Sequence, residues 1–358
     1  MKESILNLIR LGIGHEPKNI PDNIDWKGIY RLAQRHSLLG IVWDGVNVLY
    51  DKDLIKAEKQ LDPKLKLHWI SSVLNSYEKN YVRYKTRIGQ LARFYNSNGC
   101  KLMVLKGYGL SLNYPKPDHR PCGDIDTWAF GNYKLIDKQI SEQLGVKIDS
   151  SHHHHTVYQW YEYGVENHYD WVNVHYGHKN AELEKVFKEL AMDDGFYTEI
   201  DGEKVYLPSP NLHALFLVRH TMLHFASTSV TLRQLLDWGF FVEKNSSKLD
   251  WNWLVSVMNT YNMTAFFDYM NDICVSDLGF AETDYPYVKH GLKFKERILS
   301  DIITPEFQDY EPEGALAQIV FRWRRRRANA WKREICYGDE GLRSLLVSIK
   351  SHLISPKC

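Results

Sequence analysis

The chain has 358 residues, of which 44% are hydrophobic and 25% are charged, and its formal net charge is +1. This balance gives no global field that would attract nucleic acid or an acidic membrane surface. The length suffices for two domains, or for one domain with a helical extension.

The cysteine pattern and the apolar runs also restrict the class of protein. The five cysteines are scattered and form no Cys-x-x-Cys pair, which argues against a disulfide framework and a cysteine zinc site. No apolar run is long enough to span a bilayer, and the first residues lack the apolar segment of a signal peptide. We therefore expect a cytoplasmic protein that has no membrane contact.

The first part of the chain, residues 1–96, is predicted to be helical. Asp25 is a candidate cap of an early helix, and the longest run of helical periodicity extends from Pro63 to Tyr95. We expect this run to form one long helix, straight or bent, that leads into the next region.

The middle part, residues 97–207, alternates between strand and helix patterns. The predicted elements are strands over 101–105 and 124–130, helices over 107–113 and 133–144, strands over 155–163 and 165–174 with Gly164 between them, and a hairpin over 196–200 and 204–207. Residues 208–358 are predicted to be helical again. The expected fold class is α+β, with a small mixed β-sheet flanked by helical N- and C-terminal regions.

Two aspartates stand two residues apart in the second predicted strand. Because side chains alternate along a strand, Asp124 and Asp126 point to the same face. Neighbouring carboxylates repel each other unless a positive charge compensates them, and a divalent cation with oxygen ligands is the usual partner. The alternative is a pair of solvated aspartates at a strand end.

Three residues upstream of these aspartates suit a phosphate group. Gly107 lies at a predicted strand-to-helix junction, where a glycine lets the backbone approach a ligand closely. Lys106 adds a positive charge, and Arg120 is a second cation that can bind phosphate in a bidentate way. The alternative is an ordinary helix start with a solvated lysine.

A third carboxylate would complete a two-metal site. Glu166 lies on a predicted strand that, if it neighbours the strand of Asp124 and Asp126, brings the three carboxylates together. Asp170 is four residues further on and lies on the same face, so strand alternation does not decide between the two.

The ordered motifs resemble those of a known superfamily. They are Lys106-Gly107, Tyr114-Pro115, Arg120, Gly123-Asp124-Ile125-Asp126 and Glu166-Asn167-His168. They resemble nucleotidyltransferases with the DNA polymerase β type of catalytic domain, and more narrowly a bacterial, mostly uncharacterised nucleotidyltransferase family. The resemblance covers roughly residues 100–245.

The resemblance implies transfer of a nucleoside monophosphate from an NTP, with ATP expected first, to the hydroxyl of a protein, an RNA or a small molecule. Asp124, Asp126 and Glu166 would be the catalytic carboxylates and would hold two Mg²⁺ or Mn²⁺ ions. Lys106, Gly107 and Arg120 would bind the nucleotide phosphates. His168, Arg233 and Asp237 are further residues that the resemblance implies as substrate contacts or as support of the site. The alternative for Arg233 and Asp237, which are four residues apart, is an intrahelical ion pair.

One residue departs from the superfamily pattern. A serine or another small residue usually follows the glycine, whereas Tyr108 follows Gly107 here. This departure favours an alternative function, a weak or inactive nucleotide-binding or interaction protein with the same fold. A metal-dependent phosphohydrolase that uses the same carboxylates is a third hypothesis.

Four consecutive histidines, His152, His153, His154 and His155, suggest zinc at first sight. In a strand, neighbouring residues point to opposite faces, so at most two of the four could share a metal ion. We interpret the tract as a polar strand edge near the active site, where His154 or His155 could touch substrate.

A basic run near the end of the chain could bind a partner. It contains Arg322, Arg324, Arg325, Arg326 and Arg327. Its partner would be a nucleic acid, a phosphate-rich acceptor or an acidic protein, and the alternative is a solvated helix face.

Overall fold

The computed structural model describes residues 1–20, 23–56, 61–174 and 178–338. These residues form two compact units, one from residues 1–74 and 217–338 and the other from residues 75–216. The division into 1–96, 97–207 and 208–358 remains a prediction, and residues 339–358 of its last part lie outside the described residues.

Helices make up the first unit and flank the sheet of the second. In chain order they are α1 (Lys2–Gly12), α2 (Trp26–Arg35), α3 (Leu39–Asp51), α4 (Pro63–Val73), α5 (Lys79–Ser97), α6 (Tyr108–Ser111), α7 (Tyr133–Leu144), α8 (His178–Leu190), α9 (Pro210–Ser227), α10 (Leu232–Asn245), α11 (Trp251–Thr260), α12 (Thr264–Asp272), α13 (Lys295–Ile303), α14 (Ala315–Ala328) and α15 (Ala330–Tyr337). The side chain of Asp25 accepts a hydrogen bond from the Gly28 amide at 2.9 Å, which confirms the predicted cap of α2.

The described residues of the second unit contain one sheet of six strands. These are β1 (Met103–Val104), β2 (Ile125–Trp128), β3 (His155–Trp160), β4 (Tyr163–His168), β5 (Tyr197–Ile200) and β6 (Glu203–Tyr206). Their order across the sheet is β3-β4-β2-β1-β6-β5. Strands β2 and β4 pair in parallel, as do β1 and β6, while the other neighbours are antiparallel. The mixed sheet with flanking helices confirms the predicted α+β class.

Helix α5 supplies a large part of the core beneath this sheet. Tyr84, Ile88, Leu91 and Tyr95 recur at helical spacing and are fully buried. They share a core cluster with residues of β1, β2, β3 and β4. Burial of each such side chain stabilises the folded state by about 1.5–3 kcal/mol. Helix α5 therefore helps to hold the strands of the sheet in position.

Some predicted elements have different bounds in the structure. The periodic run from Pro63 is interrupted by a π-helical segment at Leu74–Glu78, so it forms two helices. The turn between β3 and β4 lies at Tyr161 and Glu162, not at Gly164, which is part of β4. Tyr161 takes the left-handed conformation (φ 51°), which is uncommon for residues other than glycine. The predicted turn was therefore placed at the nearby Gly164.

The histidine tract also differs from the prediction. Only His155 belongs to β3, whereas His152, His153 and His154 form the bend that precedes it. The strand alternation that was expected to separate neighbouring histidines therefore does not apply to them.

The cysteines and the apolar helices can be compared with the sequence predictions. Cys100, Cys122, Cys274 and Cys336 are buried free thiols, as expected for a chain without a disulfide framework. Among the described residues, no helix combines the length and the apolar character that a bilayer crossing requires.

Candidate active site

The pairing of β2 with β4 brings two carboxylates side by side. Asp126 and Glu166 are direct partners in the parallel register, so both side chains leave the same face of the sheet. Asp126 is 6% exposed, whereas the Glu166 side chain is 31% exposed. One carboxylate thus lies at the base of the site and the other faces its opening.

Two histidines border the carboxylates. His168 lies two residues after Glu166 on β4, and its Nε2 is 3.4 Å from Asp126 Oδ1 and 3.6 Å from Glu166 Oε2. His155 is paired with His168 across β3 and β4, and its Nε2 is 4.0 Å from Glu166 Oε1. The structure therefore brings both predicted histidines to the carboxylates.

Lys106 contacts a carboxylate directly. Its Nζ lies 2.6 Å from Asp126 Oδ1, and its side chain is 21% exposed. The predicted phosphate role of Lys106 is untested, but its ammonium lies within the same site. Lys106 and His168 supply the positive charge that a buried Asp126 needs.

The electrostatics of the site differ from one carboxylate to the next. Burial raises the pKa of Asp126, but Lys106 and then His168 lower it by more, so the net shift is downward. Burial lowers the pKa of His168, and its contacts with Asp126 and Glu166 reverse that shift to a net increase. Partial burial, followed by the negative charges of Glu166 and Asp126, raises the pKa of Asp124. The charge of Lys106 opposes this shift in the pKa of Asp124, and a bound cation would oppose it further.

A tyrosine of α5 that no sequence motif identifies lies against Gly107. A Cβ at Gly107 would lie 2.3 Å from the Tyr84 hydroxyl, and the backbone there has φ 53°. The same hydroxyl donates a hydrogen bond to the carbonyl oxygen of Asp124 at 2.9 Å. Tyr84 thus joins the glycine loop to the aspartate segment, and this role cannot be recognised from a helical stripe that is typical of core residues.

Arg120 also acts on the backbone of this loop. It is 4% exposed, and its Nη1 donates to the carbonyl oxygens of Gly107 at 3.1 Å and Pro121 at 3.3 Å. These bonds make Arg120 a positioning residue of the loop. Its predicted contact with phosphate remains untested.

The Tyr108 side chain packs into the core. It is 3% exposed, belongs to the α5–sheet core cluster, and stacks on Tyr81 with ring centroids 6.0 Å apart. The predicted helix over 107–113 is short, Tyr108–Ser111. The tyrosine after the glycine is therefore accommodated by burial.

Asp170, the alternative to Glu166, has another partner. It follows β4, and Lys188 of α8 lies 2.6 Å from its Oδ1. Glu184, also on α8, is buried and accepts hydrogen bonds from the amides of Trp171 and Val172 at 2.9 Å. These contacts hold the segment after β4 against α8 and leave Glu166 as the carboxylate in register with Asp126.

The other predicted residues lie in the helical unit. Arg233 and Asp237 are on α10, where Asp237 is buried, and their role beside a nucleotide remains a prediction. The arginine run forms part of α14. Arg322, Arg324 and Arg327 are exposed there, and Arg324 pairs with Asp309 at 2.7 Å. Nucleic-acid binding by this run is also untested.

Two groups in the described residues have ligand atoms close enough to share a metal ion. In one, Asp126, Glu166 and His168 offer atoms that all lie within 4.8 Å of one another. Carboxylate oxygens are the preferred ligands of Mg²⁺ and also suit Mn²⁺, so this group fits such an ion. The other group consists of His154, His155 and His168.

A comparison with protein families assigns the chain. A family model described as "uncharacterised nucleotidyltransferase" matches residues 22–278, which is well over half of the sequence. The chain belongs to this uncharacterised nucleotidyltransferase family. No curated protein and no solved structure matches the chain significantly. Membership of a nucleotidyltransferase family gives a nucleotide as the substrate class and transfer as the general activity.

Proposed function

We propose that this nucleotidyltransferase moves a nucleoside monophosphate from an NTP, with ATP expected first, to an acceptor hydroxyl with release of pyrophosphate, and that it uses divalent cations. The observation that carries the proposal is the pairing of Asp126 with Glu166 across parallel strands, beside Asp124. In a family of nucleotidyltransferases, such a carboxylate cluster is suited to hold the cation of the triphosphate.

The proposed metal ligands are the three carboxylates. Asp126 and Glu166 already offer oxygens within 4.8 Å, together with His168. Asp124, next to β2, adds a carboxylate whose pKa is raised by partial burial and then by the charges of Glu166 and Asp126. Bound Mg²⁺ or Mn²⁺ would supply charge neutralisation at the phosphates and would lower the pKa of the acceptor hydroxyl.

The remaining side chains have distinct proposed tasks. Lys106 places an ammonium at the phosphate end of the site, where it stabilises developing negative charge. Glu166, the more exposed partner of Asp126, is the proposed acceptor of the hydroxyl proton. Arg120 and Tyr84 keep the Gly107 loop in place for the nucleotide.

Labelled nucleotides test this proposal. The protein is incubated with each α-labelled NTP, with Mg²⁺ or Mn²⁺ and cell extract as a source of acceptors, next to Asp126→Asn and a matched Glu162→Gln control. Glu162 is a carboxylate at the β3–β4 turn that pairs with Arg87 at 3.0 Å, away from the carboxylate cluster. We expect covalent label on protein, RNA or a small molecule with the unmutated chain and the control only.

The outcomes separate the competing functions. Nucleotide binding without transfer would contradict the proposal and favour a binding protein. Release of labelled nucleoside monophosphate without any labelled acceptor would favour a phosphohydrolase.

A further inference from the structure

A second group of ligands lies beside the carboxylates and consists of imidazoles. His154 is in the bend before β3, His155 is the first residue of β3, and His168 is its partner on β4. One ring nitrogen from each of the three lies within 4.8 Å of the other two. Residues from a bend and two strands therefore converge. The spacing of the histidines within the tract could not indicate this, because His168 lies outside the tract.

One of these imidazoles has an unsatisfied nitrogen. His155 is 6% exposed, and its Nδ1 is buried without a hydrogen-bond partner among the described residues. A buried polar atom without a partner is unfavourable by about 1–3 kcal/mol and is therefore uncommon. A metal ion bound at this nitrogen would satisfy it.

The neighbouring side chains support a ligand role for His154. Its Nδ1 lies 3.2 Å from His153 Nε2, so its Nε2 is the nitrogen left for a ligand bond. Such an outer contact fixes the ring of a metal-binding histidine.

We propose that His154, His155 and His168 bind one borderline divalent ion of the Zn²⁺ class, at a site separate from the Mg²⁺ carboxylates. Imidazole nitrogens favour Zn²⁺, Co²⁺ or Ni²⁺ over Mg²⁺, and three histidines leave a fourth position for water or substrate. Tetrahedral ligation at 2.0–2.1 Å places nitrogens about 3.4 Å apart. The separation of up to 4.8 Å would therefore shrink by up to about 1.4 Å when the ion binds.

The histidine site and the carboxylate site lie next to each other. His168 also contacts Asp126 and Glu166, at 3.4 and 3.6 Å. Occupation of the histidine site would hold the His168 ring and weaken its compensation of the carboxylate charge. Zn²⁺ is therefore expected to alter the Mg²⁺ dependence of nucleotide binding.

Titration of the full chain with Co²⁺ alone tests the proposal, because nitrogen-ligated Co²⁺ has a visible absorption band. We expect one ion per chain, displaced by Zn²⁺ and not by Mg²⁺, and an affinity at least about 100-fold weaker in His154→Ala and in His155→Ala. His178→Ala is the matched control, because His178 is exposed on α8 and pairs only with Glu182 among the contacts described for it. Circular dichroism of each variant checks the fold.

A carboxylate variant distinguishes this site from the proposed catalytic one. Glu166→Gln is expected to retain Co²⁺ binding. Loss of binding in Glu166→Gln with retention in His154→Ala would overturn the proposal, since the ion would then lie in the Asp126–Glu166–His168 group. Equal loss in His178→Ala, or no stoichiometric binding, would overturn it as well. None of these results depends on nucleotide transfer, so failure here is separate from failure of the proposed function.

Discussion

The two compact units each contain a buried ionic cluster, and the clusters are built differently. In the helical unit, Lys332 and Asp301 are almost completely buried and lie 2.5 Å apart, with one charge of each sign. Asp301 Oδ1 also accepts the Glu306 amide at 2.8 Å. In the sheet unit, the carboxylates of Asp126 and Glu166 meet Lys106 and His168.

The difference lies in charge balance and access. The Lys332–Asp301 pair is balanced and closed to solvent, as expected of an ion pair that serves the scaffold. The sheet cluster is open at Glu166, and partial burial, followed by the charges of Glu166 and Asp126, raises the pKa of the adjacent Asp124. An excess of carboxylate charge in an open site is suited to a cation, whereas a balanced buried pair has no need of one.

The largest expected effect is the loss of transfer on removing the charge of Asp126. We expect Asp126→Asn to reduce nucleotide transfer by at least about 1000-fold, or about 4 kcal/mol in the barrier, because the ion and Lys106 lose their common partner. Steady-state transfer rates and thermal unfolding check this. A variant that unfolds at the same temperature as the unmutated chain and still transfers at a similar rate would contradict the role of Asp126.

Breaking the balanced pair should affect stability. Lys332→Met leaves Asp301 buried without its cation, so we expect the free energy of unfolding to fall by about 3–5 kcal/mol in urea titrations. The double variant Lys332→Met/Asp301→Leu should recover most of this loss. If the double variant is as unstable as the single one, then packing of the lysine stem, and not charge balance, causes the loss of stability.

The loop that carries Lys106 should tolerate no side chain at Gly107. A methyl group there would meet the Tyr84 hydroxyl and force an L-residue into positive φ, so Gly107→Ala should lower the free energy of unfolding by about 2–4 kcal/mol. Gly131→Ala is the control, because Gly131 has φ 85° and open space around its Cβ position. Equal losses of free energy of unfolding in the two variants would show that backbone strain alone, and not the Tyr84 hydroxyl, causes the effect.

A buried histidine of the helical unit should make stability depend on pH. His36 in the helical unit is buried, accepts the Leu232 amide at Nδ1 and faces the Ile303 carbonyl with Nε2, and burial is the main cause that lowers its pKa to about 4. Between pH 6.5 and 4 the unfolded chain binds more protons at this residue, so its contribution to stability is complete above 6.5 and is lost as the pH falls towards 4.

We expect His36→Gln to remove about 2 kcal/mol of this pH dependence, measured as the free energy of unfolding at pH 7 and pH 4.5. The amide side chain of glutamine can still donate and accept, so the variant should fold. An unchanged difference between the two pH values would show that other groups cause it.

Local patterns predicted much of this molecule. Glu166 was expected beside Asp126 if their two strands were neighbours, and β2 and β4 are paired. The predicted cap at Asp25 is confirmed by its hydrogen bond from the amide of Gly28. These features depend on neighbours in sequence or on a single strand pairing. The left-handed Tyr161 hid the position of the β3–β4 turn, because its sequence carries no glycine there.

Features that depend on distant contacts were not predictable. The hydroxyl of Tyr84 links two loops 23 and 40 positions away, yet in sequence it is one more residue of a core stripe. Likewise, the approach of His154 and His155 to His168 arises from a bend and a strand register. Such convergence is a property of the packed sheet, and periodicity does not encode it.

Binding of Mn²⁺ tests most directly whether the open carboxylate cluster holds a catalytic cation. The paramagnetic resonance signal of free Mn²⁺ is followed during titration of the full chain with an ATP analogue that cannot be cleaved between its α- and β-phosphates. His154→Ala serves as the common background, so that the histidine site does not contribute. We predict stoichiometric binding that weakens at least about tenfold when Asp126→Asn or Glu166→Gln is added. Equal Mn²⁺ affinity with and without these carboxylates would contradict the account.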